Sequence, residues 1–195
     1  MNSILNKNLF LVKEHIGMFK AANNFDVLNP ENGTLMMTCR EPNLGFFTKL
    51  FRFSDYKRMT PFHIVISDNQ NKKIISIKRG TTFFRSDVEV YDENEKLIGL
   101  FKQKFFFLGG RFEIFDPQGK SLATLQGKWT GWEFKFLKDN NEIALVSKKW
   151  AGLGKEFFTS ADNYVLKINE VVPEDDPVRA LILAAVMCID MVFKE

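Results

Sequence analysis

Side chains able to do covalent or acid–base chemistry are sparse in this sequence and stand apart from one another. The two histidines, His15 and His63, have no metal-ligand spacing around them. The cysteines, Cys39 and Cys188, are distant in the chain, and Cys188 lies in an apolar run where a free thiol behaves as a small hydrophobe. No phosphate loop, nucleophile elbow or dinucleotide fingerprint is present, and Gly152-Leu153-Gly154 lacks the third glycine and the strand-to-helix setting. An enzyme is not expected. The chemistry on offer is adhesive: residues 44–59, LGFFTKLFRFSDYKRM, interleave Phe46, Phe47, Phe51 and Phe53 with Lys49, Arg52, Lys57 and Arg58. That mixture suits the boundary between apolar material and anionic headgroups. It suits better still a segment that packs its phenylalanines over one barrel end, and Phe105-Phe106-Phe107 before Gly109-Gly110 carries the same ambiguity, with a buried strand as the better reading.

Composition sets the frame for these residues. A length of 195 residues with no Ser/Gly run, Pro-rich tract or charge block predicts one domain over residues 1–195. A hydrophobic fraction of 45% with 26% charged is ordinary, whereas 21 phenylalanines imply a large aromatic core or exposed aromatic sites. The net charge of +3 is too small to predict a nucleic-acid binder, which concentrates far more positive charge on one face. The opening residues MNSILNKNLF lack a secretory apolar region, so a reducing cytoplasm is the expected home.

The elements that position these residues read as a series of similar units. Apolar alternation flanks polar turns at 29–33, 68–71, 92–95, 116–119 and 139–141, the signature of five β-hairpins. The leading residues Phe62, Val88, Phe112 and Phe134 recur at roughly two dozen residues, as one supersecondary unit repeated. With Leu9 to Val12 and a strand at Tyr164 to Ile168, about twelve strands are predicted. A closed sheet wider than about eight strands cannot fill its own lumen with side chains. The stretch Val178 to Phe193, VRALILAAVMCIDMVF, supplies a filling: its apolar residues cover every side of a helix, which must therefore be surrounded. Sixteen helical residues rise roughly 24 Å against a hydrocarbon core of ~30 Å, and Arg179 and Asp190 bracket the uncharged part. Burial in protein is thus expected, with no transmembrane span. The predicted fold is mainly β, a closed antiparallel barrel of about twelve strands around a central helix over 178–193, with 44–59 as an insertion.

Specific motifs appear from Lys148 onward. Lys148, Trp150 and Gly152 form a Lys-x-Trp-x-Gly turn; Phe158, Thr159, Ala161, Asp162, Asn163 and Tyr164 form a Phe-Thr-x-Ala-Asp-Asn-aromatic motif; Ile189 and Asp190 lie in the terminal apolar helix. In order and spacing this resembles the phospholipid scramblases, with weaker likeness back to Leu9. The resemblance implies a tubby C-terminal-like barrel of twelve strands around a central helix, related also to the plant LURP-one-related proteins. It further implies a calcium loop, but here the loop's first, sixth and twelfth positions are Ser160, Val165 and Val171. Asp162 and Asn163 are the only oxygen donors left for a weak metal site, far short of calcium's six to eight ligands, and they read better as a turn. No cofactor is expected.

The function expected is a scramblase-like, non-enzymatic barrel that binds anionic phospholipid or phosphoinositide-like headgroups, or a protein partner, peripherally at membranes through 44–59. Lipid scrambling across the bilayer is the alternative from the transport class, and a nucleic-acid or signalling adaptor is the third reading.

Overall fold

The computed structural model describes residues 2–14, 24–42, 61–80, 87–103, 111–128, 132–148 and 163–193, without the side chains of 103, 128 and 190–193. After a 3-10 turn at Ser3–Asn6, the strands are β1 (Leu9–Glu14), β2 (Phe25–Leu28), β3 (Leu35–Arg40), β4 (Phe62–Asp68), β5 (Lys73–Arg79) and β6 (Val88–Asp92). They continue as β7 (Leu97–Gln103), β8 (Arg111–Phe115), β9 (Ser121–Lys128), β10 (Glu133–Lys138), β11 (Asn141–Ser147) and β12 (Asn163–Ile168), followed by helix α1 (Pro177–Phe193). Every strand pairs antiparallel with its sequence neighbours, and β1 pairs with β12 to close the barrel. All five expected hairpins are present, and β1 runs two residues beyond the expected Val12.

Period-two alternation becomes the barrel wall. Phe62, Ile64 and Ile66 of β4, Val88 and Val90 of β6, and Phe134 and Phe136 of β10 point inward and are buried. Each such side chain contributes about 1.5–3 kcal/mol on leaving water. The repeat has a period of 24 residues in three successive hairpins, set by Asp68, Asp92 and Asp116. In each, the carboxylate accepts the backbone N–H of the second and fourth residues after it, at 2.8–3.0 Å. The third residue takes positive φ in all three, at Asn71, Glu95 and Gly119. A bulge shifts the register at the matching place of each hairpin, after Ile66, Val90 and Ile114. The β10–β11 hairpin instead turns through Asp139 and Asn140, both at positive φ, as a two-residue turn requires.

Helix α1 fills the lumen. Pro177 occupies the first turn, the Asp176 carboxylate accepts the Val178 N–H at 2.9 Å, and residues 178–189 are all buried. The helix packs against β5, β7, β12 and the 3-10 turn. At Gly99 of β7 the approach is so close that an added Cβ would lie 2.7 Å from a Leu181 methyl carbon. Elsewhere Ala185, Cys188 and Ile189 face Val88, Phe101, Phe112, Ile114 and Leu125 across a small apolar void, with room for about one water-sized sphere. The expected plug and sheath are therefore observed.

Arg179 departs from the expectation of a charge that merely brackets the apolar run. It is 1% exposed. Its Nε donates to the Leu5 carbonyl and Nη1 to that of Val172, both at 2.8 Å. Nη2 reaches the carbonyls of Asn6 and Lys7 and the Asn8 Oδ1, at 2.7–3.0 Å. The guanidinium thus clasps the N-terminal segment to the base of the helix, with fixed donors meeting oxygens on several sides. The Asp175 N–H adds a bond to Asn6 Oδ1 at 2.9 Å.

Candidate functional site

The meander separates the two ends of the barrel. The short turns after β2, β4, β6, β8 and β10, together with the link to α1, lie at the end clasped by Arg179. The strand ends flanking 15–23, 43–60, 81–86, 104–110, 129–131 and 149–162 all lie at the opposite end, towards which α1 runs. Those six segments are outside the described residues. With them go the expected surface residues of 44–59, the cluster Phe105 to Phe107, Asp162, and most of the two motifs.

The described rim of that opposite end is built from aromatics and cations. Trp132, at φ 47°, precedes β10, stacks on Tyr164 of β12 with centroids 6.0 Å apart, and meets Phe134 edge-on at 6.1 Å. Lys148, just after β11, donates its N–H to the Trp132 carbonyl at 3.2 Å and lays its ammonium 3.6 Å above the indole. Tyr164 packs edge-on against Phe25 at 6.5 Å, and such ring pairs favour this geometry. Two residues that carry the motifs, Lys148 and Tyr164, are therefore joined through Trp132, whose contribution to the rim was not read from the sequence. At the same barrel end but on the β4–β5 side, Arg79 lies 4.6 Å over the Phe62 ring and is 3% exposed. Arg40 binds Asp26 at 2.6 Å and the Phe25 carbonyl at 2.6 Å. Ammonium and guanidinium groups over aromatic faces each contribute about 0.5–2 kcal/mol.

The remaining candidates settle in unreactive places. Asn163 is the first residue of β12, buried and paired in register with Lys13, so it is a strand residue and not a turn; the ladder to β1 sets its conformation. Val165 is buried in the same strand, and Val171 is exposed in a turn, and neither side chain has an oxygen to offer a calcium loop. Among the described residues no group of three or more His, Cys, Asp or Glu could hold a metal ion. Burial pushes the Cys188 thiol up to about 12 and the Cys39 thiol higher still, so neither supplies a thiolate at neutral pH. His63 faces outward from β4 opposite Lys78; burial, then the Lys78 charge, hold its pKa below the usual imidazole value.

Wall, plug and rim together define a closed meander barrel threaded by its own helix, with aromatic–cation contacts packed at one rim and no acid–base set among the described residues. The family model described as Scramblase matches residues 2–195, and the chain belongs to the scramblase family. It is a scramblase-like barrel domain. A phospholipid scramblase family protein of Schizosaccharomyces pombe is 21% identical over 181 residues, covering 85% of this chain and 47% of that one. The altered inheritance rate of mitochondria protein 25 of Saccharomyces cerevisiae is 22% identical over 86% of this chain and 60% of its own. Phospholipid scramblase 2 of Bos taurus is 24% identical over 69% of this chain and 50% of its own. The chain thus spans about half the length of the curated relatives it matches. In fold it is similar to a protein from Arabidopsis thaliana solved by X-ray, with a TM-score of 0.54 at 15% identity, covering 95% of this chain and 91% of that one.

Proposed function

We propose that this barrel is a non-enzymatic binding domain that attaches, on the cytoplasmic side, to anionic phospholipid headgroups through the end opposite the Arg179 clasp. One observation carries the reading. The six segments that leave and re-enter the barrel at that end hold nine of the chain's 27 Lys and Arg residues but three of its 24 Asp and Glu, and 12 of its 21 phenylalanines. Basic residues near an anionic surface contribute about 1 kcal/mol each, and aromatic rings favour the interfacial layer. Phe46, Phe47, Phe51 and Phe53 would enter that layer while Lys49, Arg52, Lys57 and Arg58 meet phosphates. Attachment needs no calcium, because the loop positions offer too few oxygens. Scrambling across the bilayer is supported less: among the described residues no helix is long and apolar enough to cross.

Co-sedimentation with vesicles tests the proposal. Binding to phosphatidylcholine vesicles containing phosphatidylserine is expected at low salt and is expected to fall several-fold at high salt, with or without a chelator. Replacing Arg52, Lys57 and Arg58 together by alanine should remove most of it. Absence of binding at low salt, or equal binding to neutral vesicles, would overturn the reading, and binding that requires calcium would refute its metal-free form.

A further inference from the structure

On the outer face at the Arg179-clasped end, in the turn after β6, Glu95 sits between two lysines. The Lys73 and Lys78 ammonium groups donate to its two carboxylate oxygens at 2.5 and 2.9 Å. Lys78 also lies 4.7 Å over the Tyr91 ring, whose hydroxyl donates to Glu89 at 2.7 Å. In cross-strand register Ser76 lies between Val65 and Tyr91, on the same outward face as Lys78. Ser76 is fully buried and its hydroxyl has no partner; His63, opposite Lys78, leaves Nε2 without one as well.

Two features set this cluster apart from an ordinary surface ion pair. Glu95 has φ 60°, at the turn position held by Asn71 and Gly119 in the sister hairpins, and a glutamate side chain disfavours that conformation. Exposed Lys–Glu pairs stabilise a fold little, so stability gives weak reason to place a glutamate there. A buried hydroxyl left without a partner, on the same outward face as Lys78, is unfavourable. Two neighbouring acids are already engaged, Glu89 by the Tyr91 hydroxyl and Asp92 by the turn N–H groups of Asn94 and Lys96.

We propose that this wall of β4 to β6 is a binding site for a phosphate monoester, and that the Glu95 carboxylate occupies it in the free protein. On binding, Glu95 swings out on its turn. A phosphate oxygen takes its place between Lys73 and Lys78, and the Ser76 hydroxyl and the His63 ring are the donors within the same face. The tethered carboxylate competes at an effective concentration in the millimolar range or above, which keeps weak anions out. The site is independent of end-on membrane attachment, since none of its residues lies in the six segments.

Titration of the full chain with inorganic phosphate, followed by phosphorus NMR and calorimetry at low salt, tests the site. Glu95→Gln is expected to bind phosphate about tenfold more tightly than the unaltered protein, by removal of the tethered competitor. Glu95→Gly should do the same while relaxing the turn, which separates competition from any folding defect. Adding Lys73→Ala and Lys78→Ala to Glu95→Gln should abolish the gain. Unchanged affinity in both Glu95 variants, or a gain that survives loss of both lysines, would overturn the proposal. Vesicles containing phosphatidic acid identify the source: a gain for these as well as free phosphate makes a lipid headgroup a ligand, and a gain for free phosphate alone restricts the site to soluble monoesters.

Discussion

Arg179 gives the sharpest stability prediction. Arg179→Leu keeps an apolar stem in the barrel but removes donors from five oxygens, of which the Leu5 and Val172 carbonyls are in buried hydrogen bonds. Each orphaned buried acceptor costs about 1–3 kcal/mol, and the three bonds from Nη2 are partly reachable by water and cost less. Relief of guanidinium burial offsets part of this, since burial pulls the Arg179 pKa down while Glu174 and Asp176 pull it up. Net destabilisation of about 3–5 kcal/mol is expected, by analogy with breaking a buried charged contact. For a chain of this size each kcal/mol moves Tm by about 2–4 °C, so a fall of roughly 6–20 °C should appear in thermal and urea unfolding. Amides of residues 2–8 should exchange faster in the variant, because their anchor has gone. Arginine does not titrate in the working range, so the loss should be the same at about pH 6 and pH 8. A variant within about 1 kcal/mol of the unaltered protein would refute the clasp.

Three further outcomes follow from packing and charge. Gly99→Ala should destabilise by about 1–3 kcal/mol in urea, because the new Cβ would sit 2.7–2.8 Å from Leu181 methyl carbons and 2.8 Å from the Phe115 carbonyl oxygen. Glu95 is held down at about 2 by its bonds to Lys73 and Lys78, so its contribution is present above the ordinary carboxylate pKa and lost as pH falls towards 2. Unfolding measured from about pH 6 to pH 2 should therefore be slightly less steep in Glu95→Gln than in the unaltered protein, by a small margin because solvent screens an exposed pair, and a steeper fall in the variant would contradict the contact. Both thiols should resist a thiol reagent at about pH 8 in the native protein and react fully in denaturant; a native reaction at Cys188 would place the helix outside the lumen.

The hairpins were legible because each turn carries Asp, Asn or Gly between alternating apolar residues, and the plug because no polar stripe interrupts 180–189. The Arg179 clasp was not legible. Two residues after Pro177, it reads as a charge bracketing the apolar run, and four of its five acceptors lie more than 170 positions away at Leu5 to Asn8. Trp132, Lys148 and Tyr164 likewise meet only because β10, β11 and β12 are adjacent, a relation no local pattern encodes. Asp162 and Asn163 read together as a turn, but pairing of Asn163 with Lys13 of β1 overrides that local preference. Glu95 did leave a signal in the chain. Aligning the hairpins on Asp68, Asp92 and Asp116 puts it where Asn71 and Gly119 stand, a mismatch between side chain and backbone that points to a special contact.

Hydrogen exchange along Leu181 to Met187, in solution and again on vesicles containing phosphatidylserine, tests the central claim most directly. With the helix enclosed by the barrel wall, these amides should be the slowest in the chain under both conditions, opening only with global unfolding. Loss of their protection on the vesicles while the strands stay protected would mean that the helix leaves the lumen for the bilayer, contradicting a barrel that keeps its own plug.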